Sequence, residues 1–432
     1  MDETITKIFS RLPAYDRFPP QILNEETFDL SRFQRFLTQV NNPHKGLPII
    51  HIAGSKGKGS TAALLGSALQ ALGKQVGVYF SPYLGSPTEA IFVNGKPISK
   101  EKFNFFLTNN DQILQKLTPQ EQITAFELLT TIALQYFHEA DVDFAILETG
   151  LGGRLDATNV IESPILSLIT PIEKEHTDLL GNSITSIAYE KLGIVRENIP
   201  VIFAPQTDPF IQEFARNICL QKKAPFIPIT SHYNATIKIR TIDHYSFRLQ
   251  SPYREIPQIN LALLGDHQVQ NALSAWAALD HLLPKFNPEL VLDVWQHLTL
   301  PGRFEQREIE EHQFILDGAH TLNSAKTLRK TLTQIYGIRP FTFILAFLND
   351  KNIEGFCYEL LRQNDTVILT QINHPRALPA RIAEEKIRTL IKNQNLTSII
   401  TNDLKIAKQK AYKLSKKDPI CATGSFKLIE EI

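Results

Sequence analysis

The sequence has few cysteines, no net charge and no long apolar run. Its three cysteines, Cys219, Cys357 and Cys421, lie far apart, so they provide neither a metal-ligand spacing nor a disulfide framework, as in a reducing compartment. Lys plus Arg and Asp plus Glu balance at 45 each, which excludes the basic field expected for nucleic-acid or membrane-surface binding. No apolar run could span a bilayer, and residues 1–5 lack the layout of a signal peptide. We therefore expect a cytoplasmic protein that binds neither nucleic acid nor membrane.

Residues 47–61 carry the strongest single signal. A β-branched run from Ile49 predicts a buried strand, three glycines (54, 57 and 59) then surround Lys58, and Ser60-Thr61 open an Ala/Leu-rich helix. Glycines let the backbone approach a phosphate, N–H groups and the helix N-terminus face the anion, and a lysine and a hydroxyl suit a magnesium triphosphate. Only two residues separate the first glycine from Gly57-Lys58 where the usual pattern has four, so an ordinary strand-to-helix turn is the alternative. The flanking strand and helix favour phosphate binding.

The length of 432 residues and the order of apolar runs indicate two domains, with a third left open. Up to residue 204, short apolar runs alternate with helical stretches, which predicts an α/β fold with a parallel sheet. The predicted strands include 49–53 and 144–147, and the predicted helices lie at about 60–72, 121–138 and 183–195. Within residues 224–260, the runs 235–240 and 245–250 alternate apolar and polar side chains instead, which indicates a small antiparallel appendage. A hinge at Pro301-Gly302 precedes a second alternating set. We expect a parallel-sheet phosphate-loop ATPase domain with the appendage over 1–298, and a smaller, Rossmann-like α/β domain over 299–432.

An acid ends the predicted strand that begins at Phe144. Glu148 would lie at the carboxyl edge of the sheet beside the phosphate loop, where a carboxylate can hold magnesium. A capping or salt-bridging glutamate is the alternative. The segment 149–158 that follows is dense in glycine, which predicts a backbone close to a ligand.

Two further side chains are ambiguous. His176 lies past the end of the predicted strand 165–169, where a metal ligand, a general acid or base, or an ordinary loop histidine could stand. Lys191 lies beside Glu190 in a predicted helix, and on these grounds alone we expect an exposed salt bridge.

The second domain repeats the arrangement of an acid at a strand end. A strand from Phe314 ends at Asp317, Gly318 turns the chain, and His320 is expected to begin a helix. With Arg303 at the hinge, these polar groups could reach a nucleotide; an N-cap is the alternative for Asp317.

In this order, the motifs resemble those of the folylpolyglutamate synthase/dihydrofolate synthase family, which belongs to the Mur-ligase group of ATP-dependent, amide-forming ligases. The resemblance runs from about residue 29 to Phe426. The matching motifs are His51-Ile-Ala-Gly-Ser-Lys-Gly-Lys-Gly-Ser60, Ser81-Pro-Tyr-Leu84, Phe126-Glu127, Leu147-Glu-Thr-Gly-Leu-Gly-Gly-Arg-Leu-Asp-Ala-Thr-Asn159, Glu175-His-Thr-Asp178, Glu190-Lys-Leu-Gly193, Gly265-Asp-His-Gln-Val-Gln-Asn271, Pro301-Gly-Arg303 and Asp317-Gly-Ala-His320.

The resemblance implies a role for each group of matching residues. The nucleotide-binding positions are Gly54, Gly57, Lys58, Gly59, Ser60, Asn271, Arg303, Asp317 and His320. The positions that ligate magnesium are Ser60, Ser81, Glu148 and His176. The positions that line the pterin pocket are Thr124, Ala125, Phe126, Glu127, Leu155, Asp156 and Ala157. The catalytic positions are Lys58, Glu148, His176 and Lys191, and Lys191 matches a lysine that the family carbamylates.

The implied reaction is an ATP-dependent ligation. The γ-phosphoryl group moves from ATP to a substrate carboxylate, the amine of L-glutamate attacks the acyl phosphate, and phosphate leaves. The implied cofactors are ATP, two Mg²⁺ ions and K⁺, and the substrates are L-glutamate with dihydropteroate or a reduced folate, bound by a monomer. Whether one or both of the dihydrofolate synthase and folylpolyglutamate synthase activities are present stays open.

Three alternatives compete with this interpretation. A cell-wall Mur ligase would carry a nucleotide-sugar domain, for which the residues before Gly54 are too few. A phosphate-loop kinase would need no second domain with the Asp317-Gly-Ala-His320 motif. A non-catalytic nucleotide-binding protein would not need four matching residues together, namely Lys58, Glu148, His176 and Lys191.

Five positions depart from the family pattern. Ser55 replaces a threonine and Thr321 an asparagine, and both changes are expected to be tolerated. Lys56 replaces the usual asparagine and adds charge near the phosphates. Tyr83 replaces a histidine and Ala90 an arginine, and both are expected to border the pterin entrance, so they bear on which folate is accepted.

Overall fold

The computed structural model describes residues 3–12, 30–83, 85–415 and 418–432. Leu84 and residue 29, where the resemblance begins, lie outside these ranges. The chain divides into two compact units. The first unit comprises Met1–Thr236, Arg248–Ile259 and Gln268–Gln296, and the second comprises Ile237–Phe247, Asn260–His267 and His297–Ile432. The boundary at 298/299 stays a prediction, since the second unit also includes two segments before it.

An eight-stranded sheet lies at the centre of the first unit. Its strands are β1 (Ile49–Ala53), β2 (Val76–Tyr79), β3 (Ile91–Val93), β4 (Lys96–Pro97), β5 (Phe144–Glu148), β6 (Leu166–Ile169), β7 (Val201–Phe203) and β8 (Phe226–Pro228). Their order is β4-β3-β2-β5-β1-β6-β7-β8. The pairings of β4 with β3 and of β3 with β2 are antiparallel, and the others are parallel.

The central strand β1 fixes the edge at which the motifs meet. All five of its residues are buried, as expected for a strand covered on both faces, and each fully buried isoleucine contributes about 1.5–3 kcal/mol relative to an exposed one. Ile52 pairs with Glu148 of β5, and Ala53 pairs with Ile169 of β6. Because parallel strands end at the same edge, the residues that follow β1, β5 and β6 lie together.

Helices cover this sheet. They are α1 (Glu3–Phe9), α2 (Leu30–Gln39), α3 (Lys58–Ala71), α4 (Lys100–Leu114), α5 (Ala125–Glu139), α6 (Thr177–Leu180), α7 (Ile184–Leu192), α8 (Pro209–Gln221), α9 (Ile229–His232), α10 (Asp266–Leu282) and α11 (Pro288–Trp295). Trp295 at the end of α11 donates its indole N–H to the Leu64 carbonyl of α3 at 3.0 Å, which joins two of these helices. Throughout the described ranges, no helix is long and apolar enough to cross a bilayer.

Three short strands precede α10. They are β9 (Asn234–Arg240), β10 (Tyr245–Gln250) and β11 (Glu255–Leu261), in the order β11-β10-β9. Only antiparallel neighbours can be joined by connections this short. The two alternating runs at 235–240 and 245–250 therefore form strands as expected.

The second unit contains a six-stranded sheet and its own helices. The strands are β12 (Glu305–Ile309), β13 (His312–Leu316), β14 (Thr342–Leu345), β15 (Thr366–Leu369), β16 (Thr397–Ile400) and β17 (Ile420–Thr423). The helices are α12 (Leu322–Tyr336), α13 (Ile353–Leu360), α14 (Ala380–Asn393), α15 (Leu404–Ser415) and α16 (Phe426–Glu431). The order is β12-β13-β17-β14-β15-β16, and only β12 runs antiparallel to its neighbour. The predicted α/β class with two parallel-sheet domains is confirmed.

The start of α12 differs from the prediction. Thr321 is the N-cap, because its hydroxyl accepts the Ser324 N–H at 3.3 Å, and the helix begins at Leu322. His320 therefore precedes the helix instead of beginning it, and Asp317 is not its cap.

Candidate active site

The phosphate loop, residues 54–60, joins β1 to α3. Gly54 has a φ of +145° and Gly57 a φ of +86°, which other residues rarely adopt. Space also requires glycine, because a Cβ on Gly54 would overlap Thr170 Oγ1 and one on Gly57 would overlap Asn271 Oδ1. The loop is thus enclosed by the end of β6 on one side and by α10 on the other.

The first half of the loop is attached to the segment after β6. The N–H groups of Ser55 and Lys56 donate to the Pro171 carbonyl at 2.8 and 3.2 Å. The Ser55 hydroxyl donates to the Glu173 carbonyl and accepts the Glu173 N–H, both at 3.0 Å. These bonds fix the loop before any ligand is bound.

The second half of the loop is the N-terminus of α3. The first N–H groups of a helix have no intrahelical acceptor, and here Gly57, which has no side chain, occupies the cap position. Such an N-terminus suits an anion. The glycine loop and the uncapped helix therefore fit the phosphate groups of a nucleotide.

Glu148 and Lys58 lie beside this N-terminus. Lys58 Nζ donates to the Gly54 carbonyl at 3.1 Å and lies 3.8 Å from Glu148 Oε1. Glu148 Oε2 accepts the N–H of Ser81 at 3.2 Å, and the Glu148 side chain is 6% exposed. The Ser60 hydroxyl is on the first turn of α3 and is buried. The structure thus brings Lys58, the Ser81 backbone and Glu148 together.

Lys191 is buried against the loop. Its Nζ donates to the Gly54 carbonyl at 2.9 Å and to Glu175 Oε1 at 2.8 Å. Burial lowers the pKa of Lys191 to about 8, and Lys58 and Lys56 act in the same direction while Glu175 opposes them. Burial would raise the pKa of Glu175, but Lys191 and the two loop lysines hold it at about 2. Glu175 is therefore a carboxylate at neutral pH.

The expectation of an exposed Lys191–Glu190 pair is wrong. Glu190 instead accepts from Arg154, whose Nε and Nη2 lie 3.1 and 3.0 Å from Glu190 Oε1. Residues one apart on a helix face different directions, so Lys191 points to the sheet edge while Glu190 points to Arg154. Gly153 lies under the same helix, where a Cβ would approach the Glu190 and Lys191 carbonyls at 2.8 Å. Packing against α7, and not only closeness to a ligand, explains glycine at this position.

His176 lies on the loop between β6 and α6. It is exposed, has a φ of +47° and occupies the N-cap position of α6, one residue after Glu175. Over the part of the chain that the structure describes, no three His, Cys, Asp or Glu side chains form a metal cluster. Magnesium commonly takes one or two carboxylates and completes its shell with waters and phosphate oxygens, so Ser60, Ser81 and Glu148 fit it without such a cluster.

The segment 124–127 begins α5. The Thr124 hydroxyl accepts the Glu127 N–H at 3.1 Å, and Glu127 Oε2 accepts the Thr124 N–H at 2.6 Å, so the two form a capping box. Arg32 Nη2 lies 3.0 Å from both Glu127 oxygens. Phe126, in the first turn of α5, is half buried. Its ring packs so closely on Gly150 that a Cβ added to Gly150 would lie 2.5 Å from the ring. The contact brings the predicted pterin segment to the glycine-dense loop.

Asp156, at the centre of the segment 155–157, organises that loop. Its Oδ2 accepts the Leu151 N–H at 2.8 Å, and its Oδ1 accepts the N–H and the hydroxyl of Thr158 at 2.9 and 2.6 Å. Burial raises the pKa of Asp156, although these bonds oppose the shift. Ala157 is also buried, and Leu155 is half buried.

The two departures from the family pattern that were expected to border the pterin entrance, Ala90 and Tyr83, differ in burial. Ala90 is fully buried in the core of the first unit, so it lines no exposed entrance. Tyr83 is half buried and packs against that core.

The nucleotide-binding candidates of the second unit gather around Phe426. The Arg303 guanidinium lies 4.5 Å from the Phe426 ring centre, and the His320 ring lies 6.3 Å from it. Asp317 accepts the N–H groups of Phe304 and Ala319, both at 2.9 Å. Burial raises its pKa, although Arg303 opposes the shift. In the first unit, Asn271 donates to Gln268 Oε1 at 2.9 Å and abuts the loop at Gly57.

Sequence reasoning gave no role to two residues of this site. Glu175 was noted only as part of a motif, although its position after a strand end, beside His176, was a usable signal. Arg32 carried no signal, because its partner Glu127 is 95 residues away.

Comparisons with known proteins agree with the motifs. The family model of the Mur ligase middle domain matches residues 52–279, and that of the dihydrofolate synthetase C-terminal domain matches residues 299–432. The chain is 33% identical over 365 residues to the dihydrofolate synthase/folylpolyglutamate synthase of Bacillus subtilis, covering 82% of this chain and 83% of the relative. It is 32% identical over 425 residues to the dihydrofolate synthetase of Saccharomyces cerevisiae, covering 93% and 96%.

A solved structure agrees as well. The bifunctional folylpolyglutamate synthase/dihydrofolate synthase from Yersinia pestis, crystallised with AMPPNP and Mn ion, matches with a TM-score of 0.81 at 26% identity, covering 96% of this chain and 94% of that one. These matches support neither a phosphate-loop kinase nor a cell-wall Mur ligase. The chain therefore belongs to the folylpolyglutamate synthase/dihydrofolate synthase family of Mur ligases, which are ATP-dependent ligases.

Proposed function

We propose that this enzyme joins L-glutamate to the carboxylate of dihydropteroate, of a reduced folate, or of both, through an acyl phosphate formed with ATP. One observation carries the proposal: the glycine loop, the uncapped start of α3, Lys58 and Glu148 meet at the carboxyl edge of the sheet. The Y. pestis relative binds AMPPNP and a manganese ion, which supports the same ligands here.

We propose that the nucleotide is held by two groups of residues. The phosphates bind the loop at Gly54, Gly57, Lys58, Gly59 and Ser60, for which the left-handed glycines and the free helix N-terminus are the support. Asn271, Arg303, Asp317 and His320 contact the rest of the nucleotide.

We propose that Ser60, Ser81, Glu148 and His176 hold Mg²⁺, with two ions in all. When bound, magnesium neutralises the charge of the phosphate oxygens and polarises the transferring group. Lys58 supplies a further positive charge at the same place, which stabilises negative charge as it spreads during transfer. Potassium is a further candidate, and the rate in KCl compared with NaCl tests it.

We propose that Lys191 is carbamylated. Only the neutral amine attacks carbon dioxide, forming an N–C bond and releasing a proton, and burial increases the neutral fraction because it lowers the pKa to about 8. A carbamate ¹³C signal that forms with ¹³C-bicarbonate and is missing in Lys191→Met would support this; equal signals would exclude it.

We propose that the residues 124–127 and 155–157 line the pterin pocket. The contact of Phe126 with Gly150 supports this, since it brings the first segment to the loop that Asp156 of the second segment holds through the Leu151 N–H. Arg32 keeps the Glu127 carboxylate paired at the edge of this pocket.

We also propose that the enzyme is a cytoplasmic monomer with a division of labour at residue 298. Residues 1–298 would form the ATP-binding Mur-ligase central domain with its small antiparallel appendage, and residues 299–432 the C-terminal ligase domain. Light scattering at micromolar concentration tests the monomer, since a mass near 48.9 kDa is expected.

Incubation with ATP, magnesium and radiolabelled glutamate tests the function. Dihydropteroate and tetrahydrofolate are offered separately, and labelled product is compared with ADP released. One ADP for each glutamate incorporated with at least one of the two substrates is expected. ATP turnover without labelled product, or no turnover with either substrate, would contradict the proposal.

A further inference from the structure

Lys56 lies within the phosphate loop but has no role in the assignment above. Its backbone N–H is directed away from any ligand, because it donates to the Pro171 carbonyl at 3.2 Å. The N–H of Ser55 donates to the same oxygen at 2.8 Å. The N–H groups of Ser55 and Lys56 are therefore already paired within the protein, and only side chains of these two residues could contact an anion.

Glu175 restrains the Lys56 side chain. Lys56 Nζ lies 3.8 Å from Glu175 Oε2, while Glu175 Oε1 pairs with Lys191 at 2.8 Å. One carboxylate thus holds two ammonium groups from different elements. The Glu175 side chain is 12% exposed and the Lys56 side chain is 30% exposed, so Lys56 is paired while its side chain stays partly open to solvent.

The net charge of the cluster around the phosphate loop depends on Lys56. The lysines at 56, 58 and 191 surround the carboxylates Glu148 and Glu175, which leaves one net positive charge beside the loop. Without Lys56 this charge is lost, and carbamylation of Lys191 would make Lys56 and Lys58 the cluster's remaining cations. A restrained lysine beside an anion site contributes a charge-assisted contact.

We propose that Lys56, held in place by Glu175, is a further nucleotide-binding residue that supplies a second loop cation to the phosphates. The inference rests on the proposed function, since it takes this loop as the phosphate site. It concerns binding of the nucleotide and not transfer of the phosphoryl group.

Calorimetric titration of the full chain with ADP, with and without magnesium, tests this. Lys56→Met should raise the Kd for ADP about tenfold, the usual size of one charge-assisted contact. It should raise the KM for ATP to a similar extent with kcat almost unchanged, and the Kd should depend less steeply on salt. Lys56→Arg should restore binding, because it keeps the charge.

Lys174 provides the matched control. It is exposed, adjoins Glu175 and carries the same charge, so Lys174→Met makes the same net change without touching the Lys56–Glu175 contact. Unchanged ADP binding is expected for this variant. Equal weakening by both variants, or ADP binding by Lys56→Met within about twofold of the wild type, would overturn the proposal.

Glu175→Asp tests the restraint on Lys56. It keeps the charge but withdraws the carboxylate by one methylene, so it should weaken ADP binding in the wild type and have no further effect in Lys56→Met. An equal effect in both backgrounds would show that Glu175 does not act through Lys56. If the wild type incorporates no glutamate but Lys56→Met still binds ADP more weakly than the wild type, the proposed function fails and this inference stands. If the wild type incorporates glutamate but Lys56→Met binds ADP as the wild type does, only this inference fails.

Discussion

At the residue scale, Glu148 combines burial with two polar neighbours. It accepts the Ser81 N–H and lies 3.8 Å from Lys58 Nζ, so a hydrogen bond as well as an ion pair holds its carboxylate in place. We predict that Glu148→Gln keeps the fold but lowers glutamate incorporation by about a hundredfold or more, because the amide loses the charge that a cation needs. The matched control is Glu139→Gln at the exposed end of α5, which should retain activity. Full activity of Glu148→Gln would remove the metal assignment.

Lys191 predicts a pH dependence of stability. Its pKa in the folded chain is about 8, against 10.5 for an ordinary lysine, so between these values the unfolded chain binds more protons. The free energy of unfolding therefore rises with pH across this window, by up to about 1.4 kcal/mol per pH unit. Urea unfolding in CO₂-free buffer at several pH values measures it.

Lys191→Met is the reference for that experiment. The wild type should gain stability relative to this variant as the pH rises from about 8 towards 10.5, since the variant has no amine to titrate. Parallel curves for the two proteins would contradict the assignment of the shift to Lys191.

At the scale of elements, the proposed phosphate site depends on one strand–loop–helix segment, which consists of β1, the phosphate loop and α3. We predict that Gly54→Ala weakens ADP binding more than tenfold, because a Cβ would overlap Thr170 and φ is +145°. Gly73→Ala is the control: its φ of +79° is also left-handed, but nothing lies within 4 Å of its Cβ. It should cost only about 1 kcal/mol of stability and leave the Kd for ADP unchanged. Similar binding by both variants would show that loop geometry is not essential.

The sequence predicted this element well because its signals are local. Ile49–Ala53 is a strand with the predicted bounds, and glycine spacing indicated the loop. The helix expected over 121–138 begins later, at Ala125, because the Thr124 capping box fixes its start. Among the helices that were not predicted, the two that start at Pro209 and Pro288 had a usable signal, because Asp208-Pro209 and Asn287-Pro288 are typical cap-and-proline starts.

What the sequence could not predict depends on distant contacts. The anchoring of the loop on Pro171 joins residues more than a hundred apart, and no local pattern indicates it. The burial of Lys191 follows from the position of α7 against the sheet edge, so local reasoning favoured an exposed pair with Glu190. The role of Lys191 was available only through the family resemblance.

At the scale of the whole molecule, the two tryptophans report on one unit. Trp276 and Trp295 are both within the first unit, so their fluorescence follows its unfolding. A ligand that binds only the folded state stabilises it by about 2.7 kcal/mol at a hundred times its Kd. We predict that MgADP shifts the tryptophan-detected unfolding transition by about this amount. An unchanged transition would place the nucleotide outside this unit.

The most direct test is a crystal structure of this enzyme with AMPPNP and Mn²⁺, using anomalous scattering to locate the metal. The triphosphate should lie on residues 54–60 and α3, with manganese among Ser60, Ser81, Glu148 and His176. A triphosphate bound elsewhere, or a metal peak remote from Glu148, would contradict the account.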